Sequence, residues 1–184
     1  MTDTQSPGAT DGKHPVTALA GPYGHPFHPI LVTVPIGAWV CSLVFDFVSY
    51  GSGDPRIWSV GAMWLILFGA IGAAVAAVWG VIDFLNLPKG TAAFNTGRIH
   101  AVLNSTALVI FIIDFIWRYN SRDSWESTPV GPLILSIVGL AIVGASGFLG
   151  GRLAYHYGVR VADEGVQAQG FRASAATDTP RRRS

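Results

Sequence analysis

The chain has 184 residues, 50% of them apolar and only 12% charged, with a formal net charge of +1 and a mean hydropathy of +0.42. A soluble globular domain carries about 25% charged residues, so this composition excludes an ordinary water-facing surface, and the small net charge offers nothing to nucleic acid. The single cysteine, Cys41, excludes an internal disulfide and a Cys-x-x-Cys metal site; within its apolar run it reads as a small buried or lipid-facing residue.

Residues 1–22, rich in Thr, Asp, Gly, Pro and Ser, read as a disordered leader. No basic start followed by an apolar stretch marks a cleaved signal, so the N-terminus is expected to be retained. Four apolar runs follow, predicting helices over about 30–50, 58–85, 99–118 and 130–154. Each is long enough to cross a hydrocarbon core about 30 Å thick, which takes about 20 helical residues. The runs are continuous rather than alternating, which selects helices over a barrel. The connections, roughly 51–56, 88–98 and 118–130, are short, so the expected fold class is an all-α, four-helix transmembrane domain over 23–161, in an up-down-up-down bundle. Residues 162–184, ending in Arg181-Arg182-Arg183, read as a disordered cytoplasmic tail.

Basic residues set the orientation. Lys13, Lys89, Arg98, Arg152, Arg160, Arg172 and the terminal triplet fall on one side, and Arg56, Arg118 and Arg122 on the other, a split of nine against three. Both termini are therefore expected in the cytoplasm, with Trp58, Trp117 and Trp125 at the outer interface.

Small residues predict the packing faces, because helices associate in lipid largely by close backbone approach. In the second helix these are Gly72, Ala76 and Gly80 with Gly69, Ala73 and Ala77; in the fourth, Gly147 and Gly151 with Gly144, Ala145 and Ser146. Pro35 offers no N–H to Leu31 and is expected to kink the first helix. Pro29 suits a first helical position, which makes His28 the expected N-cap.

Ionisable groups inside a membrane are expensive and draw attention to function. His25 and His28 start the first helix, Asp83 ends the second, His100 opens the third with Asn104 a turn deeper, and Arg152 and His156 close the fourth. Four of the five histidines thus gather at one membrane face. Asp46 and Asp114 lie towards the other, with Arg118 one turn from Asp114. His28 and Asp46 are about 27 Å apart along a helix, His100 and Asp114 about 21 Å. The shared plan hints at two related hairpins, and the four-residue difference spoils the register.

Three readings compete for the histidines. His28 and His100 could ligate a haem iron, with Arg98 and Arg152 pairing its propionates and Asn104 orienting a ligand. His28, His100, His156 and Asp83 could instead hold Zn²⁺ or Cu²⁺. Or the histidines hydrogen-bond across helix ends and bind nothing. No nucleophile–base pair and no phosphate loop points to an enzyme.

The motifs Gly24-His25-Pro26-Phe27-His28-Pro29, Pro35-Ile36-Gly37, Asp46-Phe47, Gly80-Val81-Ile82-Asp83-Phe84, Arg98-Ile99-His100 with Asn104, and Gly150-Gly151-Arg152-Leu153-Ala154-Tyr155-His156 together resemble a family of small bacterial membrane proteins. That family is catalogued as domain of unknown function two-two-three-one. The resemblance implies a four-helix inner-membrane domain. Some relatives are fused to Rieske or cytochrome c modules, so it also implies a redox setting. This chain carries no such module, and electron transfer would require a redox-protein partner. The expected function is a haem- or metal-binding redox-accessory membrane protein, with haem b ahead of Zn or Cu; the alternative is a structural or interaction subunit without a cofactor.

Overall fold

A computed structural model describes residues 27–124, 126–169 and 171. The leader over 1–22, His25, Trp125 and the terminal arginine triplet lie outside the described residues. Helix dominates, and the described residues contain no strand. Four long apolar helices are present: α1 (Phe27–Gly51), α2 (Pro55–Leu85), α3 (Ala92–Ser121) and α4 (Val130–Tyr155). A short α5 (Glu164–Gln169) follows. Large apolar side chains such as Phe68, Ile71 and Phe148 stand exposed on the outside of the bundle, as a lipid-facing surface requires. Cys41 is on that exposed surface.

Local chemistry sets the helix ends. Pro55 takes the first turn of α2 and Pro129 immediately precedes α4, positions where a missing N–H costs little. Thr91 caps α3 by accepting from the Phe94 N–H at 3.1 Å. That cap starts α3 seven residues before the apolar run begins, so Arg98 lies inside the helix rather than in a loop. In α1 the helix is interrupted at Val32, where Pro35 leaves the Leu31 carbonyl without its partner. The hydrogen-bond ladder is broken there, and the expected cap is not formed. His28 lies within the first turn of α1 and makes its hydrogen bond to another helix.

The bundle is two helical hairpins, α1–α2 and α3–α4, whose glycine contacts repeat at three depths. Gly61 of α2 faces Phe45, and Gly131 of α4 faces Trp117. Gly69 faces Trp39, and Gly139 faces Phe111. Gly80 faces His28, and Gly150 faces His100. In every case the α3 residue lies 72 positions after its α1 counterpart, and the α4 glycine 70 after its α2 counterpart. Equivalent residues of α1 and α3 also meet one another. The rings of Trp39 and Phe111 stack with centroids 4.0 Å apart and planes 12° from parallel, at the centre of the buried core with Ile66 and Ala70. The two halves are thus related by a pseudo-two-fold axis running along α1 and α3.

This register corrects the one read from residue types. Asp46 is equivalent to Arg118, not to Asp114, and the four-residue discrepancy disappears. The α4 packing face is corrected too. A Cβ on Gly144 or Gly147 would meet nothing within 4 Å, and one on Gly151 only the Tyr155 ring of its own helix. The face that packs carries Gly131, Gly139, Ser146 and Gly150.

Candidate functional site

Two polar clusters lie on the pseudo-axis, one at each end of the bundle. At the end where α1 finishes, Asp46, Asp114 and Arg118 are all fully buried. The Arg118 guanidinium donates to both Asp46 oxygens, from Nη1 at 2.6 Å and Nη2 at 2.8 Å, and from Nε to Asp114 Oδ1 at 2.9 Å. Ser136 of α4 donates to Asp114 Oδ2 at 2.8 Å and accepts from Arg118 Nη2 at 3.1 Å. Thr128, from the α3–α4 connection, donates to Asp46 Oδ1 at 2.8 Å, and its own N–H reaches Ser49 Oγ at 3.1 Å. Ser59 of α2 donates to the Pro55 and Glu126 carbonyls. All four helices and one loop converge here, and each charged atom has a partner. A buried charge network is tolerated only when satisfied in this way. The cluster ties the helices together and leaves no open coordination position.

The opposite end is different. His28 Nδ1 lies 2.9 Å from the Ala76 carbonyl of α2, and His100 Nδ1 lies 2.8 Å from the Ser146 carbonyl of α4. A carbonyl only accepts, so both rings carry the proton on Nδ1. Each imidazole is therefore fixed by its own hairpin, with Gly80 and Gly150 giving the rings room against the helix backbones. The two rings face each other across the seam between hairpins, with centroids 6.3 Å apart and planes 84° apart. Each Nε2 is left with its lone pair. At His100, Asn104 Nδ2 donates to it at 3.0 Å while also reaching the His100 carbonyl. At His28, no hydrogen bond reaches Nε2 among the described residues.

Residues 24–163 match the family described as predicted membrane protein DUF2231. The chain belongs to that family. Comparison with curated proteins and with solved structures finds no match. As a DUF2231 protein with four apolar helices it is a multi-pass membrane protein.

The residues singled out from the sequence do not all assemble. His28, His100 and Asn104 come together. Arg98 is exposed. Arg152 is exposed as well, its guanidinium 5.6 Å from the Tyr157 ring centre. His156 is exposed beside Tyr157, with ring centroids 4.8 Å apart. Asp83 pairs with Arg160, 2.6 Å from its Nη2. No group of three potential metal-ligating side chains exists among the described residues. Sequence reasoning missed Ser136 and Thr128, and placed Ser146 on a packing face without its contact to His100. A hydroxyl inside an apolar span is a signal, but a serine there also bonds readily to its own helix, as Ser42 does to the Trp39 carbonyl at 2.8 Å.

Proposed function

We propose that His28 and His100 form a bis-imidazole ligand pair for haem iron, and that the chain is a redox-accessory subunit of the membrane. The observation that supports this is the matched tautomer. Both rings donate Nδ1–H to a backbone carbonyl, the outer hydrogen bond that orients metal-binding histidines, which leaves Nε2 as the coordinating atom, although that of His100 accepts from Asn104. Their separation agrees: with metal–nitrogen bonds of about 2.0–2.1 Å, imidazoles on opposite sides of one metal atom have ring centres about 6 Å apart.

Ligand number favours haem over a bare ion. Two imidazoles complete a haem iron, whose other positions the macrocycle fills. Structural Zn²⁺ asks for four protein ligands and catalytic Zn²⁺ for three, and here Asp83 pairs with Arg160 and His156 is exposed beside Tyr157. The ring edges already occupy the space beside Gly80 and Gly150, so the fit requires the macrocycle to enter along the seam between the hairpins, with the Asn104 amide turned off Nε2. When bound, haem would supply one-electron transfer; the chain's own residues orient the imidazoles and hold their protons on Nδ1. The nine-to-three basic count supports placing both termini, and with them the histidine end, in the cytoplasm of a bacterial inner membrane.

A second reading has its own observation. Asn104 satisfies His100 Nε2, which suits an interaction subunit with no cofactor. Expression with haem supply, followed by an absorption spectrum and elemental analysis of the purified protein, separates the two. A Soret band lost in both His28→Ala and His100→Ala, with folding retained, supports ligation. A colourless, metal-free wild type leaves the cofactor-free subunit.

A further inference from the structure

Beyond α4 the chain carries a cation that the paired histidines do not use. The end of α4 is closed by Tyr157 N–H bonding to the Arg152 carbonyl at 3.1 Å and Val159 N–H to the Leu153 carbonyl at 2.9 Å. Gly158 sits at φ +69° and Arg160 at φ +59°. Glycine adopts that left-handed region freely, whereas residues with side chains rarely do. Such an outlier in a side-chain-bearing residue points from structure towards use. The Arg160 side chain turns back to α2, where Nε donates to Asp83 Oδ1 at 2.8 Å and Nη2 lies 2.6 Å from the same oxygen.

Asp83 stands in the last turn of α2, where the carbonyl end of the helix disfavours negative charge. Its role is to hold Arg160. Asp83 engages only one edge of the guanidinium. The Arg160 side chain is 6% exposed, and among the described residues its buried Nη1 has no hydrogen-bond partner and its Nη2 makes no hydrogen bond beyond the ion pair. A guanidinium offers five N–H donors in a planar fork, and the Nη1–Nη2 edge matches two oxygens of one oxyanion. A buried donor without a partner asks for one.

We infer that Arg160 seats one phosphate group at the histidine end of the bundle. The position fits a headgroup: the uncharged run of α4 ends at Gly151, and Arg160 follows the helix end, at the depth where apolar chain gives way to polar. The pair is not sealed, since the Asp83 side chain is 17% exposed. Lys89, Arg98 and Arg152, all exposed at the same end, add to the attraction for an anion. Asp83 neutralises the resting cation. The pseudo-repeat has no second such site, because the position equivalent to Asp83 is Leu153. The phosphate comes either from a phospholipid headgroup or from free phosphate. The site does not depend on haem.

The test uses the purified full chain, with its thermal midpoint followed in phosphatidylcholine nanodiscs, in the same nanodiscs doped with phosphatidylglycerol, and in phosphatidylcholine with inorganic phosphate. Phosphatidylglycerol should raise the wild-type midpoint by several degrees. Arg160→Gln should lose that shift, Arg160→Lys most of it, and Arg152→Gln little. A shift reproduced by inorganic phosphate alone assigns the seat to free phosphate. An Arg160→Gln midpoint that rises like the wild type overturns the proposal, because diffuse basic charge then accounts for the effect. Should the variants not fold, phenylglyoxal labelling of the wild type decides: phosphatidylglycerol should slow modification of Arg160 several-fold relative to Arg152, and equal rates in both lipids would overturn the site.

Discussion

Asp46 and Arg118 occupy equivalent positions of the two hairpins, 72 residues apart, and meet on the pseudo-axis in a bidentate ion pair with no exposed surface on either side chain. Removing one partner of a buried pair leaves the other charged and unmatched, at a cost of about 3–5 kcal/mol. Asp46→Ala and Arg118→Met should each lower the detergent unfolding midpoint strongly. The exchange of both, Asp46→Arg with Arg118→Asp, should recover part of the loss, because the positions are geometrically alike. A double variant no better than the worse single one would show that the pair is not interchangeable across the axis.

The glycine contacts make a graded prediction. A Cβ on Gly69 would collide with Trp39 Nε1 and one on Gly139 would stand 2.8 Å from the Phe111 ring, whereas one on Gly147 meets nothing within 4 Å. Gly69→Ala and Gly139→Ala should therefore destabilise by about 1–3 kcal/mol through overpacking. Gly147→Ala should be neutral or slightly stabilising, since alanine is the better helix former. Thermal denaturation in one detergent orders the three, and a Gly147 variant as damaged as Gly139→Ala would remove the assigned packing face.

Asn104 competes with any metal for His100 Nε2. Asn104→Ala should raise the fraction of protein that takes up haem, while Ser146→Ala, which touches the ring only on its Nδ1 side, should change it little. Measured Soret absorbance per mole of protein reads this directly. No gain in Asn104→Ala would mean that the amide does not guard a coordination position.

Orientation follows from the basic residues. A reporter fused after Ser184 should read cytoplasmic, and one inserted in the α3–α4 connection external. The opposite labelling would move the histidine end to the outer face.

Much of the architecture was legible because the membrane imposes length. Four uncharged or nearly uncharged runs can hardly be anything else, and the two polar ends sort themselves by where His and Asp fall. The repeat register was not legible, because like residues were matched with like: Asp46 with Asp114. The fold matches Asp46 with its ion-pair partner instead. Small-residue stripes also misled in α4. A helix apolar all round gives little sign of which face turns inward, and Gly147 points away from the bundle as easily as Gly139 points into it. His28 was misjudged as a cap because Pro29 marks a helix start in sequence, while the imidazole reaches 48 residues along the chain to Ala76.

The equivalence of Asp46 and Arg118 also bears on why the two hairpins are one polypeptide. Two identical hairpins assembled as separate subunits would bring the same side chain to the axis from both sides, acid against acid or base against base, deep in a medium that punishes unbalanced charge. Joining the hairpins through residues 86–91 allows the halves to diverge, so that at the axis one supplies Asp46 and the other Arg118, with Asp114 beside it. The short linker is thus what permits an asymmetric lock at a symmetric place.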